Sequence, residues 1–146
     1  MINRTSMHLL AMEYYGLKEV PGIHSNPTIM RWFRDIGYTW VQGEETAWCS
    51  CFINWLAWKL ELERSGKLTA RSWLDVGEEV NSPELGHVAI FWRESKTSWK
   101  GHVGLYAGDD DDFIYCLGGN QGNQVNIKAM PIDRLLEFRS LKSLEV

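Results

Sequence analysis

The sequence is poor in cysteine and has no excess of positive charge. Its 3 cysteines are an odd number, and two of them are close neighbours, which argues against a secreted disulfide framework. The formal net charge of -4 and a pI of about 5.5 argue against nucleic acid as the main partner, because phosphate binding requires a basic face. We therefore expect reduced thiols and no nucleic-acid partner.

Long apolar runs are also missing. No stretch approaches the roughly 18 apolar residues that span a bilayer, and no basic segment followed by an apolar one begins the chain. We expect synthesis in a reducing cytoplasm, no membrane insertion, and delivery by a route without a signal peptide if the protein acts outside the cell. The aspartates 109–112 predict a solvated turn, since they lack the spaced ligands of a calcium loop. Neither a metal nor another cofactor is expected.

The composition is that of an ordinary globular protein. Hydrophobic residues make up 45% of the 146 positions and charged residues 23%, which suits a single domain over residues 1–146. No repeat, low-complexity tract or long linker divides the chain. The 8 tryptophans are many for this length, and we expect some of them to line a groove.

Helical patterns fill the first half of the chain. Apolar residues at helical spacing predict helices over residues 4–15, 27–36, 47–64 and 69–75. Asn26 and Pro27 are typical of a helix start, and Thr46 is a plausible N-cap for the third helix. This third helix is apolar over most of its surface, which is typical of a central, buried helix.

Strand patterns follow. Apolar alternation predicts strands over residues 87–92, 102–107, 113–117 and 124–129, and the short links between them predict an antiparallel meander. Helices followed by strands indicate an α+β domain, with the N-terminal helices packed on a C-terminal antiparallel sheet.

Cys49 is the candidate nucleophile. It lies in the first turn of the predicted central helix, where the partial positive charge of the helix end favours a thiolate. Unpaired N–H groups at the same end can stabilise an oxyanion. Cys51 points to another side of the helix and is interpreted as structural.

Two histidines are candidates for the base, because each begins a predicted strand after a glycine. His102 lies between glycines in the segment 101–104, which would permit close approach of backbone or substrate, and we prefer it over His87. A neutral imidazole can take the thiol proton, and an imidazolium beside the thiol favours the thiolate.

A polar turn follows the third predicted strand, close to the start of the second. Asn120 is our first choice for the group that orients the imidazole of His102, and Gln121 is the second choice. A plain hairpin turn is the alternative reading of this segment. Just before the central helix, Gln42 or Glu45 could line the oxyanion or substrate site.

Five ordered segments together resemble a known family. They are the Trp-Cys-Ser-x-Phe-x-Asn-Trp helix start at 48–55, Ala-Arg-Ser-Trp-Leu at 70–74, Phe-Trp-Arg at 91–93, Gly-His-Val-Gly at 101–104 and Leu-Gly-Gly-Asn-Gln at 117–121. In this order they resemble small phage- and bacterium-encoded peptidoglycan hydrolases of the CHAP and NlpC-type cysteine peptidase superfamily. The likeness extends over roughly residues 5 to 140 and also includes the segments 19–22 and 26–27.

The resemblance implies a papain-like fold, with a catalytic Cys49 at the start of the central helix, His102 as base and Asn120 as its orienting residue. It implies an amide-cleaving enzyme whose partner is bacterial peptidoglycan. Candidate substrate contacts are Trp48, Glu45, Gln121 and Trp73, with Trp92 as a further groove residue. For each of the three tryptophans, ordinary core packing is the alternative and the better single guess. A phage lysin, a remodelling enzyme or an injected toxin would fit; a toxin would also require an immunity or delivery protein.

Two alternatives stay open. The same cysteine and histidine could serve a papain-like acyltransferase or deamidase that acts on a protein. The fold could also be a wall-binding module without catalysis.

Overall fold

The structure, a computed structural model, describes residues 4–19, 26–39 and 48–144. Its elements are helices and strands in the predicted order, helices first. The helices are α1 (Arg4–Met12), α2 (Pro27–Asp35) and α3 (Cys49–Lys59), with 3₁₀ turns at Ala70–Asp75 and Ile132–Arg134. The strands are β1 (Glu78–Val80), β2 (Val88–Trp92), β3 (Gly101–Asp109), β4 (Phe113–Gly118), β5 (Asn126–Pro131) and β6 (Leu135–Ser140).

Helix α2 begins as predicted. The side chain of Asn26 accepts hydrogen bonds from the backbone N–H of Thr28 at 2.8 Å and of Ile29 at 3.4 Å, and Pro27 occupies the first turn. Within the described ranges, no helix is both long and apolar enough to cross a bilayer.

Helix α3 is shorter than predicted at both ends. It begins at Cys49, and the predicted cap Thr46 lies outside the described residues. At the other end, Glu61 takes a left-handed backbone conformation (φ 57°), which stops the helix soon after Lys59. Every residue from Cys49 to Ala57 is buried, as expected for a central helix.

The antiparallel sheet has 6 strands in the order β1-β6-β2-β3-β4-β5. The predicted meander is β2 to β5, and its neighbours pair in sequence order. The prediction missed β6, which returns to pair with β2, and the short edge strand β1, which pairs with β6. The fold is therefore α+β, as predicted, with two further strands beyond β2.

The sheet separates two apolar clusters. Side chains such as Val103 and Leu105 face the helices and join their core, whereas Phe91 and Cys116 belong to a smaller cluster on the other face. The helical core is rich in aromatic contacts around Trp32, whose ring lies 4.8 Å from that of Phe52. This core fixes α3 against β3 and β4, so the start of α3 meets the sheet at the end where β3 begins.

Candidate active site

Cys49 is the first residue of α3 and is only 6% exposed. The residue at the cap position is Trp48, whose indole is a donor and cannot accept from the N–H groups of the first turn. Backbone N–H groups of Val103, on β3, and of Ser50 are near enough to the Cys49 sulfur to lower its pKa. The thiol therefore lies at the positive end of a buried helix and is held by donors that favour its anionic form.

A hydrogen-bond network behind Cys49 fixes the start of α3. Ser50 is fully buried; its hydroxyl donates to the Lys67 carbonyl at 2.7 Å and accepts from the Trp73 indole at 2.9 Å. Asn54, also fully buried, donates to the carbonyls of Ser50 and Lys67, each at 3.0 Å, and accepts from the backbone N–H of Gly66 at 2.8 Å. The Ser and Asn positions of the helix motif thus have a common structural purpose, which is to anchor the start of α3 and Cys49 with it.

His102 lies beside Cys49. It is the second residue of β3, is half-buried, and its imidazole is close enough to the Cys49 thiol for each group to shift the pKa of the other. The chain segments of both residues come together because α3 packs on β3 with Val103 in the shared core. The structure therefore brings the predicted nucleophile and the predicted base together at one cavity.

Gln121 contacts the other side of the imidazole. Its Oε1 lies 2.8 Å from Nε2 of His102, while its Nε2 donates to the carbonyls of Cys116 at 3.1 Å and Asn126 at 2.8 Å. Because two carbonyls accept hydrogen bonds from the amide nitrogen, it is the amide oxygen that faces the histidine. This oxygen is an acceptor, so Nε2 of His102 must carry the proton. The other ring nitrogen, Nδ1, is then the one that can exchange a proton with a thiol, and the imidazole interacts with the sulfurs of both Cys49 and Cys116.

The structure corrects the prediction for Asn120. No hydrogen bond joins Asn120 to His102 in the described part of the chain; Asn120 has a left-handed backbone (φ 58°) and lines the cavity at the site. Gln121, the second choice for this role and also a predicted substrate contact, is 3% exposed and hydrogen-bonded to the imidazole. Gln121 thus takes the place expected for Asn120 beside the imidazole, and Asn120 lies at the cavity instead.

Cys49 and His102 shift each other's pKa in opposite directions. Burial raises the pKa of the Cys49 thiol, but the hydrogen bond and charge of His102, with N–H donors from Val103 and Ser50, outweigh it and hold that pKa below its ordinary value. Burial lowers the pKa of His102, but hydrogen bonds to the sulfurs of Cys116 and Cys49 raise it to about 10. Both shifts favour a thiolate beside an imidazolium.

His87, the other candidate base, and Cys51, a second thiol on α3, both have surroundings that indicate a structural role. His87 is 4% exposed, its Nδ1 accepts from the backbone N–H of Glu84 at 3.0 Å, and its carbonyl pairs with the N–H of Tyr106. Tyr106 lies four residues beyond His102 on β3, so the two histidines are separated by about 13 Å along the strand. Burial, with the charge of Cys49, raises the pKa of Cys51 strongly, which keeps that thiol protonated.

Core packing, and not a substrate contact, is the correct interpretation of Trp48 and Trp73. Trp48 and Trp73 are fully buried, so neither can line a groove. The Trp48 indole donates to the Glu19 carboxylate at 2.5 Å, and the Trp73 indole donates to Ser50. Glu45 and Gln42, the other predicted contacts at the helix start, lie outside the described residues.

A cavity of about 370 Å³ opens over the pair of Cys49 and His102. One wall is formed by a loop, residues 93–100, whose Trp99 is 71% exposed. Arg71 holds this loop through hydrogen bonds to the carbonyls of Lys100 (2.8 Å), Lys96 (2.7 Å) and Ser95 (2.8 Å). No role was predicted for these residues, although Arg71 belongs to the Ala-Arg-Ser-Trp-Leu motif and Arg93 to the Phe-Trp-Arg motif.

The site brings together a thiol, an imidazole and an amide, a set of groups suited to acyl transfer. Within residues 4–19, 26–39 and 48–144, no group of three or more histidine, cysteine or acidic side chains is arranged to hold a metal ion.

Neither a protein-family profile nor the sequence of a curated protein matches this chain. A solved structure does: the crystal structure, at 2.23 Å resolution, of a Staphylococcus aureus protein described as similar to a lipoprotein of the NLP/P60 family. The TM-score is 0.56 and the sequence identity 16%, over 98% of this chain and 42% of the other. The chain thus spans less than half the length of that protein, and the likeness shows a papain-like fold of the NlpC/P60 type.

Proposed function

We propose that this chain is a cysteine peptidase or amidase that hydrolyses an amide bond in the peptide part of bacterial peptidoglycan. The observation that carries the proposal is the arrangement of three side chains beside an open cavity: His102 lies between Cys49 on one side and Gln121 on the other. The peptidoglycan substrate rests on the ordered motifs of the sequence, and the NlpC/P60-type fold supports it.

The first step forms a thioester. The Cys49 thiolate attacks the carbonyl carbon of the scissile amide, and N–H groups in the first turn of α3 donate to the resulting oxyanion. The imidazolium of His102 gives its Nδ1 proton to the nitrogen of the leaving amine, and the carbon–nitrogen bond breaks. Gln121 holds the imidazole in the tautomer and direction that this transfer requires.

The second step releases the acyl group. Neutral His102 takes a proton from a water molecule, the resulting hydroxide attacks the thioester carbonyl, and the carbon–sulfur bond breaks to give a carboxylic acid, which loses its proton to solvent. The Cys49 thiolate and the imidazolium are thereby restored. The low pKa of Cys49 makes this thiolate a good leaving group and a ready nucleophile.

The finer assignment to small phage- and bacterium-encoded hydrolases of the CHAP and NlpC group is part of the same proposal. It places the enzyme's action at the cell wall, in the periplasm or outside the cell, after release or delivery. The ordered motifs support it, and the proposal leaves open whether the enzyme serves as a lysin, an injected toxin or a remodelling enzyme.

The test is digestion of purified peptidoglycan by the wild type, Cys49→Ala and His102→Asn, with mass spectrometry of the released muropeptides. We expect two new peptide ends from the wild type and none from either variant. Inhibition by a chelator without inhibition by a thiol alkylator would contradict the cysteine mechanism. Release of ammonia, or a new amide bond, would replace hydrolysis by deamidation or acyl transfer. Wall binding without turnover would favour a binding module.

A further inference from the structure

A second cavity, of about 210 Å³, lies on the far side of His102. Its lining is positively charged: Arg93, Lys128 and Arg134 contribute to it, and none of the acidic residues that the structure describes does. The whole chain carries 19 acidic and 15 basic residues, so this concentration of one sign runs against the overall charge. Cations in a shared concave surface repel one another, and a bound anion would relieve that repulsion.

These three cations have no carboxylate partner in the part of the chain that the structure describes. By contrast, Lys100 on the nearby loop pairs with Glu94 at 2.9 Å. Arg134 instead stacks on the ring of Trp92, with its guanidinium carbon 4.9 Å from the ring centroid. The Trp92 indole donates to the Asp133 carbonyl at 3.0 Å, which fixes the aromatic platform under Arg134.

The two cavities meet at the reacting pair. Arg93, His102 and Asn120 line both, while Cys49 lines only the larger. A substrate with its scissile carbonyl at Cys49 can therefore extend past His102, so that a neighbouring group enters the charged cavity. The planar guanidinium of Arg93 offers two parallel donors to a carboxylate in that cavity.

We propose that the charged cavity binds a free carboxylate of the substrate peptide next to the scissile bond, with Arg93, Lys128 and Arg134 as its partners. The enzyme then discriminates between wall peptides that carry this carboxylate and wall peptides in which it is a carboxamide. This inference rests on the proposed peptidoglycan function and adds a specificity-determining site to it.

The test compares two muropeptide samples of one sequence, which differ only in whether the carboxylate beside the cleaved bond is free or amidated. For the wild type we expect kcat/KM to be about tenfold or more higher on the free acid. Arg93→Gln should lose most of this preference through a raised KM for the free acid, and Arg93→Lys should retain part of it. Lys59→Gln removes the same charge at the opposite end of α3, about 15 Å from Cys49, and should keep the full preference.

The outcomes separate the two proposals. Equal cleavage of both samples by the wild type, or an unchanged preference in Arg93→Gln, would overturn the carboxylate site and leave the hydrolase intact. Cleavage of neither sample would overturn the proposed function itself, and the inference with it. Competition by inorganic phosphate without any preference between the peptides would assign the cavity to a phosphate-bearing polymer, which also overturns the carboxylate site.

Discussion

The amide oxygen of Gln121 lies 2.8 Å from Nε2 of His102, and its orientation is fixed by two carbonyls behind it. We expect Gln121→Met to lower kcat on the order of 10²-fold, because the imidazole loses the acceptor that sets its tautomer. Steady-state kinetics, with circular dichroism to verify folding, measure this.

Asn120→Gly is the matched control for Gln121→Met. Glycine accepts the left-handed backbone at this position (φ 58°), so the change removes a neighbouring polar side chain without strain. Its kcat should stay within a few-fold of the wild type. A large loss in Asn120→Gly with little loss in Gln121→Met would return the orienting position to Asn120.

This pair of residues shows where prediction from sequence ends. The order of elements, the polar turn after β4 and its nearness to His102 follow from local patterns and strand pairing. Which of two adjacent amides faces the imidazole depends on a left-handed backbone at Asn120 and on the carbonyls of Cys116 and Asn126 around Gln121. Those contacts exist only in the folded sheet.

Long-range contacts also explain the burial of Trp73 and Trp48 and the missed strand β6. The Trp73 indole can be buried because its N–H donates a hydrogen bond to the Ser50 hydroxyl. The Trp48 indole can be buried because its N–H donates to the Glu19 carboxylate. Neither partner can be identified from spacing along the chain. Strand β6 is stabilised by pairing with β2, far away in sequence, so local alternation gave little indication of it.

The opposed pKa shifts of Cys49 and His102 predict the pH dependence of the reaction. As pH rises through the lowered pKa of Cys49, the thiolate forms and kcat/KM increases; as pH passes the His102 pKa of about 10, the imidazolium loses its proton and kcat/KM falls. The profile of kcat/KM against pH should therefore be a broad bell that extends well above neutral pH.

Alkylation of Cys49 by iodoacetamide tests the thiolate directly. In the wild type the reaction should remain fast below the usual pKa of a thiol, and His102→Asn should shift its pH midpoint upward, because the partner that outweighs burial is gone. Peptide mapping distinguishes Cys49 from the buried Cys51 and Cys116. An unchanged midpoint in His102→Asn would contradict the ion pair.

Arg71 should act on substrate binding through the loop 93–100. Its three hydrogen bonds to loop carbonyls position Trp99 and Arg93 at the mouth of the cavity. Lysine cannot reproduce this fork of donors, so Arg71→Lys should raise KM several-fold more than it lowers kcat. Hydrogen exchange in the loop should quicken, whereas the same exchange in Arg31→Lys, an exposed change on α2, should match the wild type.

His87 should matter for stability and not for chemistry. His87→Ala removes the acceptor for the Glu84 N–H and should lower the free energy of unfolding by about 1 to 3 kcal/mol. Below the unfolding temperature, kcat should stay close to that of the wild type, since His87 lies at the opposite end of β3 from Cys49. An inactive but folded His87→Ala beside an active His102→Asn would reverse the assignment of the base.

Substitutions at two adjacent glycines should distinguish an effect on the position of Gln121 from an effect on core packing. A Cβ at Gly118 would meet the Gln121 amide oxygen at 2.7 Å, whereas a Cβ at Gly119 would meet the Trp48 ring at 2.6 Å. Gly118→Ala should therefore lower kcat more than it lowers the free energy of unfolding, because the added methyl group pushes the Gln121 amide oxygen away from His102. Gly119→Ala should instead lower the free energy of unfolding by about 1 to 3 kcal/mol, because the indole is locked in the core. Steady-state kinetics and thermal unfolding of both variants check this. A loss of stability without a loss of kcat in Gly118→Ala, with the reverse in Gly119→Ala, would contradict this account.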